Sequence, residues 1–436
     1  MPKQSRVAQV AALLLSLGAL VSCGYPAHAE KAGSPTAPPT APSSAPSTAP
    51  STAPSAAPTS PTSSVEATGA SRQTFTTLMT GDVLLHSGLW ASAHADAVRR
   101  HESAVYDFRP LLGPMRTTVS AADLAICHLE TPLAPARGPF TDYPIFSVPP
   151  QIAPALHWAG YDACTTASNH SVDGGFPGIR RTVGGLDAAG VGHTGSYAHR
   201  AGAGRPLFLT VPTHALAADG TADPGIDGTA RVALIAATYG LNGLPEPAGR
   251  PWAVNLIHPA RILAQARAAR ADGADVVMVA LHWGDQYVHM PSAFQQQVAR
   301  RLTAGHAVDL VYGHHAHVVQ PFAQVHDTWV VYGLGNAVAQ QDTADPELYE
   351  GIAANVRFTT GAGGRYRVAA LGWTPTVVTR YGVRPMRYLN AVTAQRAPHF
   401  AYLGPRLRQS VARSGRDVGS LGAFGKGVTS APGRVR

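Results

Sequence analysis

Five apolar runs along the chain are each followed directly by a short polar motif. The runs span residues 75–80, 124–127, 163–167, 276–281 and 308–312. Each run is short and apolar, which predicts a buried strand. Strands of an open parallel sheet deliver the residues that follow them to one edge, where ligands bind. The polar motifs are therefore expected to meet at a single site.

The stretches between these runs alternate between helical and strand-like spacing of apolar residues. Helices are predicted over residues 91–100, 150–160, 178–189, 259–272 and 294–304. Further strands are predicted over residues 206–211, 231–237, 329–332, 353–359 and 366–374. The last two alternate as antiparallel strands do. We expect one α/β domain over residues 72–403, with two sheets rather than one.

The chain begins with the features of a bacterial export signal, predicted to cover residues 1–29. Two basic residues precede an apolar stretch that is too short to span a bilayer. Residues 20–23 read Leu-Val-Ser-Cys, which resembles a lipobox and predicts a lipid on Cys23. The alternative is ordinary cleavage after Ala29. The protein is therefore expected on the extracellular face of the bacterial cell membrane, held by the lipid, or secreted.

A linker is predicted to follow the signal, over residues 30–71. Pro46, Pro50, Pro54 and Pro58 recur at every fourth position among Ala, Ser and Thr. Such a composition cannot bury a core and predicts a disordered, extended segment of ~3.1 Å per residue. The linker would hold a folded domain on the order of 100 Å from a membrane.

The net charge of +8, from 34 basic and 26 acidic residues, is unevenly distributed. Residues 404–436 hold seven basic residues and one acidic residue, and residues 1–71 hold three and two. Only +1 remains for residues 72–403, which excludes a basic nucleic-acid-binding domain. The tail over residues 404–436 is predicted to be disordered, and it either contacts an anionic polymer or has no partner.

Two cysteines remain besides Cys23, and each lies in a predicted core strand. An exported protein meets an oxidising environment, in which Cys127 and Cys164 could pair. We expect two buried thiols instead, because facing strand residues often miss the geometry of a disulfide.

The polar motifs carry ligands typical of divalent metals. Carboxylate, amide and imidazole groups are supplied by Asp82, Glu130, Asn169, His282, His315 and His317. His315 and His317 would face one side of an extended segment, and His314 the other. Each of these residues alone could also have a purely structural role, in a turn, at a strand end or as a core histidine. Together they suit two divalent ions (Mn, Zn, Fe or Mg) bridged by an acidic group, which generates hydroxide near neutral pH.

Two further residues are candidates for proton transfer. His170 is adjacent to Asn169, so its side chain diverges and would face the substrate, where it could protonate a leaving group. Asp173 lies three residues further on and would either orient His170 or cap the following segment.

As a set, these motifs resemble those of the CapA family of poly-γ-glutamate capsule synthesis proteins, within the calcineurin-like metallophosphoesterase superfamily. The motifs are GDVLL at 81–85, HLE at 128–130, ASNHSVDGG at 167–175, LHWG at 281–284 and GHHAHVVQ at 313–320. The resemblance covers about residues 74–345. It implies a four-layer α/β/β/α sandwich with two metal positions, the same six ligands, and His170 as the catalytic acid.

Several positions depart from the pattern of the family. The family usually has Asn at the position of His128 and Glu at the position of Asp285. The Asp-x-His motif of the superfamily is missing, because His86 lies four residues after Asp82. One metal position would therefore be weaker or open, with His86 and His128 as neighbours of the ligands.

Three functions remain open. The first is a surface-anchored, metal-dependent hydrolase that acts, with a membrane-bound polymer synthase, in synthesis or processing of an anionic capsule or cell-wall polymer of the poly-γ-glutamate class. The second is a secreted metal-dependent phosphoesterase. The third is a non-catalytic subunit that binds or assembles the polymer. The sequence favours an enzyme, although it has no phosphate-binding glycine loop and no serine-hydrolase elbow.

Overall fold

The structure is a computed structural model that describes residues 72–420, except 218–220, 226, 342–343, 362 and 381–384. The predicted signal peptide, the lipid on Cys23, the linker and the last sixteen residues of the tail, 421–436, lie outside the described residues.

Fourteen strands and nine α-helices form the described part of the chain. The strands are Arg72–Leu84 (β1), Leu124–Leu129 (β2), Ala163–Thr165 (β3), Gly192–Thr194 (β4), Leu207–Leu216 (β5), Gly228–Thr238 (β6), Val276–His282 (β7), Leu310–His314 (β8), Phe322–Val325 (β9), Thr328–Val331 (β10), Asn336–Ala339 (β11), Glu350–Thr360 (β12), Tyr366–Val378 (β13) and Tyr388–Asn390 (β14). The helices are Ser87–Arg99 (α1), Arg109–Leu112 (α2), Arg116–Val119 (α3), Ile152–Ala159 (α4), Gly175–Ala188 (α5), Pro259–Ala271 (α6), Ala293–Thr303 (α7), Ala391–Ala394 (α8) and Gly404–Gly419 (α9). None of these described helices has both the length and the hydropathy needed to cross a membrane.

Two sheets meet at β1, which hydrogen-bonds to strands of both. In the first sheet β1 lies between β12 and β2, and the sheet continues to β14 on one side and to β4 on the other. The second sheet runs β5-β6-β7-β8-β10-β9, and only three residues of β1 pair with β5. Strands β1 to β4 are parallel to one another, as are β6, β7, β8 and β10. The carboxyl ends of each parallel set therefore share an edge.

The two sheets lie face to face between two layers of helices. Successive side chains of a strand therefore pack in different cores. Met278 of β7 packs in a core that the sheets share, whereas its neighbours Val277 and Val279 pack in the core formed with α6 and α7. In the first sheet Met79 packs between the sheets, and Leu78 belongs to the core formed with α1, α2 and α4. Strands buried on both faces read as continuous apolar runs. The predicted α/β/β/α arrangement is confirmed.

The prediction of a disordered tail is wrong for residues 404–419, which form α9. The buried side chains of this helix are Leu407, Ser410, Ser414 and Val418. Trp373 Nε1 of β13 donates a hydrogen bond to Ser414 Oγ at 3.4 Å. The sequence lacks the apolar spacing that indicates a helix, because half of the buried positions of α9 are serine and the rest of its surface is rich in arginine.

The expectation of two free thiols is also wrong, because Cys127 and Cys164 form a disulfide. The two residues are register partners on the adjacent parallel strands β2 and β3, with 4.4 Å between their Cα atoms. Both side chains point to the same face of the sheet, toward the core formed with α1, α2 and α4. Adjacency in the sheet, which the sequence does not reveal, brings the two sulfurs together.

Candidate metal centre

The polar motifs meet at the carboxyl edges of the parallel strands, where the two sheets adjoin. The side chains gathered there are Asp82, His128, Glu130, Asn169, His170, His282, His314, His315 and His317, and all of them are buried. They come from β1, β2, β7 and β8 and from the segments that follow β2, β3 and β8. The predicted convergence of dispersed residues is therefore what the fold produces.

Asp82 lies within β1, where the strand changes from pairing with β12 to pairing with β11. The close approach of β1 to Gly335 requires glycine at position 81, because a Cβ there would lie 2.0 Å from the carbonyl oxygen of Gly335. Asp82 Oδ1 accepts a hydrogen bond from His314 Nδ1 at 2.8 Å, and Oδ2 accepts one from the His315 backbone N–H at 3.1 Å. The carboxylate is thereby fixed at the centre of the site.

Glu130 lies beside Asp82, and neither of its buried carboxylate oxygens has a hydrogen-bond partner among the described residues. His282 Nε2 is 3.6 Å from Glu130 Oε1, which is too far for a hydrogen bond. Burial, reinforced by the charge of Asp82, raises the pKa of Glu130 to about 8. A buried carboxylate without partners is unfavourable unless a cation contacts it. This residue fits a metal ligand.

Asp82 and His317 carry opposite charges in the protein alone. Burial would raise the pKa of Asp82, but hydrogen bonds from His314 and His317 hold it well below its usual value. Burial would lower the pKa of His317, but the Glu130 and Asp82 carboxylates raise it to about 9. His317 Nδ1 lies 3.2 Å from Asp82 Oδ2. The proton of His317 thus lies beside the Asp82 carboxylate, at a place that suits a divalent cation.

A chain of hydrogen bonds runs through the other half of the site. His128 Nε2 is 3.0 Å from His282 Nδ1, and His282 Nε2 donates to Asn169 Oδ1 at 2.7 Å. Asn169 Nδ2 donates to Asn242 Oδ1 at 2.9 Å, which turns the amide oxygen of Asn169 toward His282. Burial, with the neighbouring histidines, holds the pKa of His128 and of His282 well below its usual value. Both are neutral imidazoles, the form that binds metals.

His315 and His317 do not lie in an extended segment, so the predicted alternation is wrong here. Strand β8 ends at His314, and the two residues have left-handed φ angles of 85° and 56°. The His315 ring lies 4.7 Å from the His282 ring and 4.5 Å from the Tyr239 ring, measured between centroids. Such backbone strain persists where the surroundings determine it, commonly at ligand sites.

His170 and Asp173 form a hydrogen-bonded pair at the side of the site. His170 Nδ1 donates to Asp173 Oδ2 at 2.7 Å, and the Phe146 backbone N–H donates to the same oxygen at 2.8 Å. Helix α5 begins at Gly175 without a side-chain cap, so Asp173 orients His170 rather than capping the helix. With Nδ1 engaged, Nε2 is the ring nitrogen left for a ligand.

Two groups of side chains have ligand atoms close enough to share an ion. Asp82, His128 and His282 form one, and Asp82, Glu130 and His317 form the other, with all ligand atoms of a group within 4.8 Å of one another. The residue common to both groups is Asp82, which makes it the candidate for the predicted acidic bridge. Carboxylates and imidazoles suit Zn, Mn and Fe. The number and identity of the ions stay predictions.

The structure brings all six predicted ligands to one site, although not all in the same position. Asn169 reaches the groups through His282, and His315 lies beside them. Two further residues belong to the site: His128, which was predicted only as a neighbour of the ligands, and His314, which was predicted to face the opposite side. The signal for His128 was its position two residues before Glu130, but only the register of β1 with β2 pairs it with Asp82.

A cleft of about 900 Å³ opens beside the site. His170 and His317 are among the buried side chains that line it, and His86 and Phe146 line it too. Its wall is formed by Asp142, Tyr143, Gln286, Tyr287, Gln340, Gln341 and Asp345. The cleft gives the buried side chains access to a ligand from outside.

The chain is similar to several known proteins. Residues 76–341 match the family model described as Bacterial capsule synthesis protein PGA_cap. The chain is 28% identical over 251 residues to "Probable polyglutamine synthesis accessory protein MT0602" of Mycobacterium tuberculosis (strain CDC 1551 / Oshkosh), which covers 55% of this chain and 59% of that protein. It is 29% identical over 186 residues to "PGA biosynthesis protein CapA" of Bacillus subtilis (strain 168), which covers 42% of this chain and 43% of that protein.

The chain thus matches about half the length of these relatives. Among solved structures, it is similar to the calcineurin-like phosphoesterase YfkN from Bacillus subtilis, with a TM-score of 0.39 and 14% identity. That similarity covers 78% of this chain and 99% of the other.

Proposed function

The chain belongs to the bacterial capsule synthesis protein PGA_cap family, and from this premise we propose that it acts, as a metal-dependent hydrolase, in the synthesis or processing of an anionic capsule or cell-wall polymer of the poly-γ-glutamate class. The names of the two relatives, which refer to polyglutamine and PGA synthesis, support a polymer of this kind. The observation that carries the proposal of a metal is the buried Glu130 carboxyl group, which lies beside Asp82 and His317 and has no hydrogen-bond partner among the described residues.

The metal-ligand candidates, His170 and Asp173 have separate roles in the proposed reaction. A divalent ion held by Asp82, Glu130 and the histidines would supply a water of lowered pKa and an electrostatic clamp on an anionic transition state. His170 lines the cleft and, when protonated, donates from Nε2 to the leaving group. Asp173 keeps that nitrogen aimed at the cleft by holding Nδ1. Burial of the ligands excludes bulk water and strengthens each electrostatic contact.

A hydrolysis assay with two substrates tests this proposal. The purified protein is loaded with Mn²⁺, Zn²⁺ or Fe²⁺ and offered poly-γ-glutamate and a phosphodiester. We expect cleavage of the polymer, and a loss of about 10²–10⁴-fold in His170→Ala, because a positioned proton donor contributes that much. His193→Ala is the matched control, since His193 contacts Asp187 instead of the site.

Three results would contradict parts of the proposal. Cleavage of the phosphodiester alone would replace the polymer by phosphate esters as the substrate. Cleavage of neither substrate would leave a non-catalytic polymer-binding subunit. Unchanged turnover in His170→Ala, with an unchanged metal content, would remove the proton-donor role.

For the location, the proposal keeps a lipid on Cys23, which would hold the enzyme near a membrane-bound polymer synthase. The support is the Leu-Val-Ser-Cys sequence at residues 20–23, followed by a linker rich in proline. We expect the parent protein in the membrane fraction and Cys23→Ser in the medium or in the soluble fraction. Equal distribution of the two proteins would contradict the lipid anchor.

A further inference from the structure

Two histidines line the cleft and pack against the same aromatic ring. The rings of His86 and His170 lie 5.4 Å and 4.8 Å from the ring of Phe146, measured between centroids. The ring planes are nearly perpendicular in both cases, at 86° and 89°, which is a favourable edge-to-face arrangement. Phe146 therefore holds both imidazoles at the cleft. Of the two, only His170 has a role in the proposed reaction.

The hydrogen bonds of His86 leave one ring nitrogen for a ligand. Its Nδ1 accepts from the Gln340 backbone N–H at 3.2 Å, and that N–H has no other partner among the described residues. The carbonyl oxygen of Leu84 also lies 3.1 Å from Nδ1, but it already accepts the His86 backbone N–H at 3.1 Å. Because Nδ1 accepts, the proton of the neutral ring is on Nε2. This nitrogen is therefore a donor for a ligand in the cleft.

His170 is held in the opposite tautomer. Its Nδ1 donates to Asp173 Oδ2, so in the neutral ring Nε2 carries a lone pair. Nε2 of His170 can thus bind a proton and pass it on, whereas Nε2 of His86 keeps its proton and donates a hydrogen bond. Burial lowers the pKa of His86 to about 4, which keeps this ring neutral near neutral pH. The two rings therefore suit two different tasks at one ligand.

We propose that His86 is a ligand-binding residue, which donates a hydrogen bond from Nε2 to an oxygen of the ligand beside the bond that receives the proton of His170. The carbonyl oxygens of a polymer and the phosphoryl oxygens of a phosphate ester are both acceptors for such a donor. Shared packing against Phe146 keeps the donor of His86 and the acid of His170 in a fixed relation to each other. The inference rests on the proposed function and adds a residue that holds the substrate.

The binding of two probes to the full-length protein tests this role. The Mn²⁺-loaded parent and its His86→Phe variant are titrated in a calorimeter with a short poly-γ-glutamate oligomer and with inorganic phosphate. Phenylalanine keeps a ring against Phe146 but has no donor, so we expect the affinity for a probe that binds to fall about tenfold. His86→Gln supplies a donor again and should recover most of that affinity. Equal affinities of the parent and His86→Phe, or no binding of either probe to the parent, would overturn the inference.

Metal affinity and a second histidine provide the controls. His86 belongs to neither group of metal-ligand candidates, so His86→Phe should bind Mn²⁺ as tightly as the parent does. His193→Phe alters a ring that contacts Asp187 instead of the cleft, and it should change no affinity. A fall in Mn²⁺ affinity in His86→Phe as large as the fall in probe affinity would show a general loss of the site, and it would overturn the binding role.

Nitrogen NMR tests the tautomer of His86 in the absence of a ligand. Metal-free protein is prepared with isotopically labelled histidine, and the ring signals that disappear in His86→Gln belong to His86. We expect the proton on Nε2 and an unprotonated Nδ1, because Nδ1 accepts from Gln340. A proton on Nδ1 would remove the donor from the cleft and overturn the inference.

The binding readout separates this inference from the hydrolase proposal. Probe binding that depends on His86, in a protein that cleaves neither the polymer nor a phosphodiester, would support the inference and contradict the proposed function. Binding of phosphate alone, weakened in His86→Phe, would support the inference and replace the polymer as the ligand. Cleavage of the polymer with a KM that is unchanged in His86→Phe would support the function and overturn the inference.

Discussion

The floor and the wall of the cleft are built by different parts of the fold. The floor consists of the buried metal-ligand candidates Asp82, His128, Glu130, Asn169, His282 and His317. Sheet register places them, as when Asp82 pairs with His128 on β2 and with Asn336 on β11. The wall comes from connecting segments, such as the one between β7 and α7 that carries Tyr287. The sheets therefore position the candidate metal ligands, and the connecting segments line the cleft that leads to them.

The largest effect expected from this division concerns metal binding. Glu130→Gln keeps the shape of the side chain but removes its charge, so we expect Mn²⁺ affinity to fall by about 100-fold or more. Gln286→Ala alters the wall and should leave Mn²⁺ affinity unchanged. Calorimetric titration of both variants with Mn²⁺ checks this. A similar loss in both, or no loss in Glu130→Gln, would contradict the division between floor and wall.

The floor was largely predictable from the sequence, and the wall was not. Apolar runs identify strands because buried strands must be apolar, and each polar motif directly follows or ends such a run, so the carboxyl edge could be inferred. The predicted resemblance to the CapA family is confirmed by the match over residues 76–341. Residues of the wall, such as Asp142 and Gln340, lie in segments whose path depends on the whole fold.

Some features of the floor also depended on contacts that no local pattern encodes. The stack of His128 on His314, with ring centroids 4.1 Å apart, joins two sheets through residues 186 positions apart. The left-handed backbone at His315 and His317 breaks the alternation that an extended segment would have. Tertiary packing determines both the histidine stack and the left-handed backbone. Sequence spacing alone predicts the wrong orientation for His314.

A smaller effect is expected at α9, which packs against β12 and β13. Arg413 Nε donates to Glu350 Oε2 at 3.0 Å, and Glu350 follows the turn that carries Asp345. Arg413→Ala removes the ion pair of the buried Glu350 carboxylate with Arg413 and should lower the free energy of unfolding by about 1–3 kcal/mol, without changing Mn²⁺ affinity. Burial raises the pKa of Glu350, which moderates this loss.

The control for this prediction lies on the same helix. Arg408 is exposed, so Arg408→Ala should change the free energy of unfolding by less than about 0.5 kcal/mol. Urea unfolding of the parent and the two variants measures the difference. Equal destabilisation by both substitutions would show that α9 contributes only as a helix, and not through the pair with Glu350.

A further effect is a pH dependence of the metal-free protein. The pKa of Glu130 rises from 4.5 in the unfolded chain to about 8 in the folded protein, so stability is lost as pH rises through that window. Glu130→Gln has no such proton to lose. In EDTA, its free energy of unfolding relative to the parent should therefore increase between pH 5 and pH 8. A constant difference across this range would contradict the assignment of a protonated Glu130.

The most direct test of the account is anomalous diffraction from a crystal loaded with Mn²⁺. The account predicts a difference peak within about 2.0–2.3 Å of a carboxylate oxygen of Glu130 or Asp82, with imidazole nitrogens completing the coordination. A loaded crystal with no peak among these side chains, or with its peaks only at other places on the protein, would contradict the central claim.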